Sequence, residues 1–170
     1  LRVITPPPLP ADWFGKQWAC DTGAKACGGE LLGFMDADTW QSPDLVTRVV
    51  NAMGSRGADV LSVAGTQALG GFWEHLIQPQ VFAILAQRYG GTETVNRSPH
   101  ASQKIANGQC LWLRRAAYDA LGGHAAVRDK VAEDLAIAQT YFRAGRTVVI
   151  VLGLTQLSTR MYTSLRELVE

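Results

Sequence analysis

Residues 31–40, Leu-Leu-Gly-Phe-Met-Asp-Ala-Asp-Thr-Trp, constrain this chain more than any other stretch. Leu31, Leu32, Phe34 and Met35 run without a charge into Asp36, the pattern of a buried parallel strand that delivers carboxylates at its carboxyl end. Open α/β sheets bind their ligands at that end. Asp36 and Asp38 can both reach one hard cation if the chain leaves the strand and turns, whereas in a continuing strand they would share a face and repel. The pair therefore reads as a divalent metal site. With nine aspartates in 170 residues, chance alone supplies roughly half an Asp-x-Asp per chain of this composition. The motif thus needs its context, and turn or capping roles for both residues are the competing reading.

The chain is 47% hydrophobic and 18% charged, enough for one globular core and too short for two ordinary domains, so residues 1–170 are expected to form a single domain. A net charge of +1 with scattered Lys and Arg argues against a nucleic-acid partner. Cys20, Cys27 and Cys110 form no C-x-x-C, and on a helix Cys20 and Cys27 would sit about 10 Å apart, too far to bridge. That usage reads as a reduced, cytosolic-side protein. No apolar run approaches the roughly 20 residues of a membrane span, and no leader opens the chain. It begins at Leu1 in an apolar run and stops at Glu170 in a helical pattern, which reads as a fragment or excised domain.

In chain order, Leu1, Val3 and Ile4 predict a short strand, and Pro6, Pro7, Pro8 and Pro10 an extended loop. A helix over 17–26 ends at Gly28-Gly29. Ser42 is expected to cap a helix with Pro43 at its first position and Leu45, Val46, Val49, Val50 and Met53 as its apolar stripe. A strand follows over 60–63. Residues 70–89 are apolar and aromatic, with Pro79 expected to break any single helix; they read either as a core helix pair or as a surface against a bilayer or greasy acceptor. Residues 92–104 read as a loop. Asn107-Gly108 turns into a strand over 110–113, then Arg114-Arg115 and a short helix to Leu121, with a flexible corner at Gly122-Gly123-His124. Residues 131–144 form the clearest helix, with Glu133 and Asp134 in its first turn and Leu135, Ala138, Tyr141 and Phe142 at core spacing. A buried strand over 147–152 and a helical tail over 160–170 complete the chain.

Together these residues resemble family 2 glycosyltransferases of the GT-A fold. The matching words, in order and spacing, are Gly15-Lys16, Asp36-Ala37-Asp38-Thr39, Asn107-Gly108 before Leu113-Arg114-Arg115, Tyr118 with Leu121-Gly122-Gly123, and Glu133-Asp134 opening a helix that ends in Ala144-Gly145. Asn107-Gly108-Gln109, the run from Gly122 to Arg128, Glu133-Asp134-Leu135-Ala136 and Arg160-Met161-Tyr162 look most like membrane-associated members acting on hopanoid or carotenoid lipids. The resemblance implies a three-layer α/β/α domain with a mostly parallel central sheet, lacking an N-terminal nucleotide-binding strand and C-terminal membrane helices.

What the resemblance implies chemically is an inverting transfer of sugar from a nucleotide-sugar donor to a hydroxyl of a lipid or polysaccharide acceptor, at the cytoplasmic face of a membrane. Asp36 and Asp38 would hold Mg²⁺ or Mn²⁺, and two carboxylates leave the rest of its oxygen shell to phosphate and water. Asp134 would be the catalytic base; the helix dipole would lower its pKa, an effect that an apolar neighbourhood could offset. Lys16, Asn107, Gly108, Glu133 and Arg160 would contact substrate. His124 reads as a loop or packing residue. Two alternatives stand beside this: a non-catalytic contact module, and an Asp-x-Asp phosphohydrolase, against which Thr39 falls one residue early for that signature.

Overall fold

The computed structural model of the protein describes residues 2–161 and Glu167. Its frame is built from strands whose side chains alternate between two cores. In β5 (Cys110–Arg114), Leu111 and Leu113 join one apolar cluster, while Cys110 and Trp112 join the other. β3 (Val60–Ala64) and β6 (Val148–Leu152) divide likewise, Val60 and Val148 to the first cluster, Leu61 and Val149 to the second. With β1 (Leu31–Met35) they form a four-stranded sheet in the order β1-β5-β3-β6.

Helices close both faces. α1 (Gly15–Ala26), α5 (Arg115–Ala120) and α6 (Glu133–Arg143) bring Ala24, Tyr118, Ile137, Ala138 and Tyr141 to the first core. α2 (Leu45–Arg56) brings Leu45, Val49 and Met53 to the second. The expected α/β/α layering is therefore present.

Strand pairing differs from expectation. β1, β3 and β6 point the same way, but β5 runs against them between β1 and β3, so within this sheet the β3–β6 pairing alone is parallel. β1 is accordingly not a central parallel strand but an edge strand with Leu32 alone fully buried. Its apolar run is used differently: Leu31 and Met35 pack on one core and Phe34 on the other. A second sheet, β2 (Thr39–Gln41), β7 (Leu157–Thr159) and β4 (Thr66–Gln67) in the order β2-β7-β4, was not foreseen, since strands of two or three residues show no period.

Other local expectations change as well. Residues 2–4 form no strand among the described residues, and Val3 is exposed with nothing to pair against. Ser42 does not cap α2; its hydroxyl bonds Asp44, the helix starts at Leu45, and Val46 and Val50 lie exposed. α3 (Phe72–Tyr89) runs unbroken through Pro79, which forfeits a backbone hydrogen bond without ending the helix. Residues 92–104 are not a plain loop but contain α4 (Thr92–Arg97) and a 3₁₀ turn at Ala101–Gln103. The buried Lys104 ammonium anchors α4 by donating to the Val95 and Asn96 carbonyls, 2.8 Å from each. The Asn96 side chain in turn bonds the N–H and C=O of Ile150 on the outer edge of β6. The tail helix expected over 160–170 lies, beyond Met161 and apart from Glu167, outside the described residues. No described helix is long and apolar enough to cross a membrane.

Candidate active site

Antiparallel pairing of β1 with β5 sets Met35 opposite Cys110, so the carboxyl end of β1 meets the residues that lead into β5. There the Asp36 N–H donates to the Gln109 carbonyl at 3.2 Å, and the Thr39 hydroxyl closes the following turn on the Asp36 carbonyl at 2.8 Å. The first turn of α6 faces the same point. Asp134 accepts the Gly108 N–H at 2.8 Å through one oxygen and the Leu135 N–H at 2.7 Å through the other. Lys16, in the first turn of α1, joins the two sides: its Nζ lies 3.0 Å from Asp36 Oδ1 and 2.9 Å from Glu133 Oε1.

Gly108 shows how small the shared volume is. A Cβ there would stand 3.1 Å from Lys16 Nζ, 3.3 Å from Asp134 Oδ2 and 3.5 Å from Glu133 Oε1. A side chain there would press on the ends of these three groups, the nearest of which would have to give by a few tenths of an ångström. Lys16, Asp36, Gly108, Glu133 and Asp134 thus share one rim of the sheet, at the carboxyl ends of β1, β3 and β6.

The charges are uneven. Burial pulls the Lys16 ammonium down, but the bonds and charges of Glu133 and Asp36 outweigh it and hold the group above the ordinary lysine value. For Asp134 burial dominates and raises the carboxyl, against the opposing N–H bonds from Leu135 and Gly108 and with help from the Glu133 charge. Desolvation therefore wins over the helix N-terminus, whose lowering effect the sequence suggested. A carboxylate held by two N–H donors yet easier to protonate than usual has the character of a base.

Asp38 stands two residues beyond Asp36, exposed, and its carboxylate makes no hydrogen bond or ion pair among the described residues. Its carbonyl accepts the Thr159 hydroxyl at 3.1 Å, which ties the turn to β7. Hard carboxylate oxygens from one turn suit a divalent cation. Among the described residues no group of three His, Cys, Asp or Glu could hold a metal unaided. The donor set thus fits a cation that brings phosphate and water with it.

A polar floor adjoins this rim, and two of its members, Ser62 and Gln67, carry no functional signal in the sequence. Ser62, in the middle of β3, accepts the Asn107 N–H at 2.6 Å. Gln109 accepts the Asn107 side-chain amide at 3.1 Å and contacts Gln67 and Met161. Gln67 Oε1 is buried with no donor among the described residues. A serine inside an otherwise apolar strand was the available hint. Arg160 is not drawn into the acidic cluster: its guanidinium is held by Glu74, 2.9 Å from Oε1, beside Gly70. That bond, with the Gly70 N–H, holds the Glu74 carboxyl down at about 2.

His124 is a packing residue. Tyr118 Oη accepts the His124 N–H at 3.1 Å and meets its Nδ1 at 2.9 Å, leaving the phenol proton to donate to the ring. Burial pushes the imidazole down to about 4. Gly123 makes this possible: at φ +51 its absent Cβ would lie 2.2 Å from the Tyr118 ring.

A sequence model described as Glycosyl transferase family 2 matches residues 8–122. No curated protein matches the chain. Among solved structures, the chain is similar to a mannosyltransferase from Pyrobaculum calidifontis in complex with GDP-Man and Mn²⁺, with a TM-score of 0.57 and 18% identity over 89% of this chain and 37% of that one. A mycobacterial protein aligns with a TM-score of 0.47 and 19% identity, over 91% of this chain and 47% of the other. The chain therefore spans 37% of the length of the first of these structures, and at such identity the likeness is one of fold.

Proposed function

Because the chain belongs to glycosyl transferase family 2, we propose that residues 1–170 form one catalytic domain of an inverting, metal-dependent glycosyltransferase that uses a nucleotide-sugar donor. The observation that carries this reading is the shared rim, where Lys16 bridges Asp36 to Glu133 and lies, with Asp134, against Gly108. Asp134 is the base: burial favours proton uptake, and the Gly108 and Leu135 N–H groups fix its orientation. It takes the proton of the acceptor hydroxyl as that oxygen attacks the anomeric carbon from the face opposite the leaving diphosphate, which inverts the centre. Asp36 and Asp38 would hold Mg²⁺ or Mn²⁺, which would supply Lewis-acid neutralisation of charge on a departing nucleoside diphosphate. Lys16 offers the diphosphate a point charge. Asn107 and Gly108 let the backbone come close to the sugar or acceptor, and Glu133 keeps Lys16 in place. Arg160 contributes through its bond to Glu74, which anchors the segment reaching Gln109.

The acceptor is a lipid, as in the hopanoid- and carotenoid-type members, and the domain works against the cytoplasmic face of a membrane. Support comes from α3, whose Phe72, Trp73, Leu76, Phe82, Ile84 and Leu85 are all exposed. An apolar patch on that scale marks an interaction surface, and Trp and Tyr near the ends of a helix suit a bilayer boundary.

Calorimetry with Mn²⁺ and a panel of nucleoside diphosphates, GDP first because the Pyrobaculum structure holds GDP-Man, tests the donor half. Metal-dependent nucleotide binding that Asp38→Ala abolishes is expected; binding of neither overturns the transferase reading. Co-sedimentation with phospholipid vesicles tests the membrane half.

A further inference from the structure

We propose that Lys16 is a built-in competitor of the divalent cation: its ammonium occupies Asp36 until a nucleoside diphosphate draws it off, so that metal is taken up together with nucleotide and not before it. This rests on the transferase reading above and adds an order of events to it.

The geometry has three parts. First, Asp36 and Asp38 are the only carboxylates assigned to the cation, and one of the two is already engaged by Lys16 at 3.0 Å. Among the described residues no third His, Cys, Asp or Glu completes a metal group, so the occupied carboxylate is a large share of what the cation could gain from acidic side chains. Second, the two anchors of Lys16 differ. The Glu133 side chain is 10% exposed and that of Asp36 31% exposed, whereas Lys16 is 45% exposed and can swing without unpacking the core. Leaving Asp36 need not mean leaving Glu133. Third, the ammonium can be reached from solvent, since the Lys16 side chain is nearly half exposed. A diphosphate arriving there offers the ammonium stronger acceptors than Asp36, and once phosphate holds the ammonium an Asp36 oxygen is released to the cation.

The consequence is coupling. Bare metal must expel Lys16 unaided, while nucleotide and metal together exchange one ion pair for two, so each strengthens the other's binding by the same factor. A site tuned in this way holds divalent cations weakly when no donor is present.

The test follows the electron paramagnetic resonance signal of free Mn²⁺ titrated with protein, without nucleotide, which reads binding and not turnover. Lys16→Met is expected to bind Mn²⁺ at least about tenfold more tightly than the parent, the return from one ion pair of ordinary strength. Lys16→Met/Asp36→Asn is expected to lose that gain. Lys25→Met, which removes an exposed lysine of the same helix paired with Asp21, is expected to change affinity by less than about twofold. An unchanged or weaker affinity in Lys16→Met overturns the proposal, as does an equal gain in Lys25→Met, which would mark a diffuse field and no competition. Circular dichroism checks the fold, and Lys16→Gln replaces Lys16→Met if that variant is unfolded. A measurement on the parent protein needs no variant: labelling of Lys16 by an amine-reactive ester should rise at saturating Mn²⁺ while labelling of Lys25 stays level, and a flat Lys16 response overturns the proposal. Should the parent bind Mn²⁺ with GDP or another nucleoside diphosphate while Lys16→Met gains nothing without it, only the competition fails; should no nucleotide promote Mn²⁺ binding in either protein, the transferase reading itself fails.

Discussion

Helices α6 and α3 use their sequences in opposite ways. α6 buries Ile137, Ala138 and Tyr141 against the first core and turns Glu133 and Asp134 toward the sheet rim. In α3 the residues that are fully buried are Glu74 and Gln78, and the large apolar side chains face out. The Glu74 carboxylate takes the Gly70 and Gly71 N–H groups and Arg160, while Gln78 donates to the Met161 carbonyl at 2.7 Å. A helix whose apolar stripe is already satisfied can hold a reactive carboxylate still, because its backbone has no better place to go. A helix that buries its polar groups and offers its apolar ones is fastened by hydrogen bonds more than by an apolar stripe.

The largest expected effect is at the first turn of α6. Asp134→Asn should lower turnover by about a thousandfold while leaving nucleotide binding intact, measured with a nucleotide-sugar donor and a hydroxyl acceptor. Burial raises the Asp134 pKa, and the base acts ionised, so activity should rise with pH through a midpoint above the usual aspartate value. A midpoint at or below that value would remove the base from α6. Next in size, Ile137→Ala should cost about 2–5 kcal/mol in urea unfolding, since the side chain is fully buried.

Beneath α6, His124 should make the fold acid-sensitive. Its folded pKa of about 4 lies below the unfolded 6.5, so its neutral form contributes stability above pH 6.5 that is lost as pH falls toward 4. The loss should reach about 3 kcal/mol, read from urea unfolding at a series of pH values. A flat profile over that window would mean the ring is not desolvated.

The smallest effect on stability is expected on α3. Leu85→Ser should shift unfolding by no more than about 0.5 kcal/mol, because Leu85 is exposed, yet should weaken vesicle binding. If it destabilises the fold as much as Ile137→Ala does, the contrast between the two helices is wrong.

Much of α6 was legible before any coordinates, because its apolar spacing and first-turn acids agree with one another. Its core residue Ile137 was still missed, since the stripe was drawn through Leu135, which is only half-buried. α3 was harder to read. Its apolar residues occur on all sides, so periodicity could not say which face was buried, and Pro79 suggested a break that long-range bonds from Glu74 and Gln78 override. Around the rim, Asp36, Gly108 and Asp134 were identified from short motifs. The residues that brace the adjoining Asn107-Gly108-Gln109 segment, Ser62 on Asn107 and Gln67 on Gln109, were not, because bonds spanning 45 and 42 residues leave no local pattern. The direction of β5 escaped for a related reason: an apolar run announces a strand but not its neighbours.

The Asn96 amide on Ile150 has a consequence for how the sheet can grow. By offering a donor and an acceptor to the backbone of Ile150, one side chain takes the place of an adjoining strand at that position. At the opposite flank β1 presents five residues without charge or proline, alongside a groove lined by Cys20, Gly23 and Cys27. Additional extended chain would therefore meet a blocked position at Ile150 on one flank and an uncharged strand edge on the other.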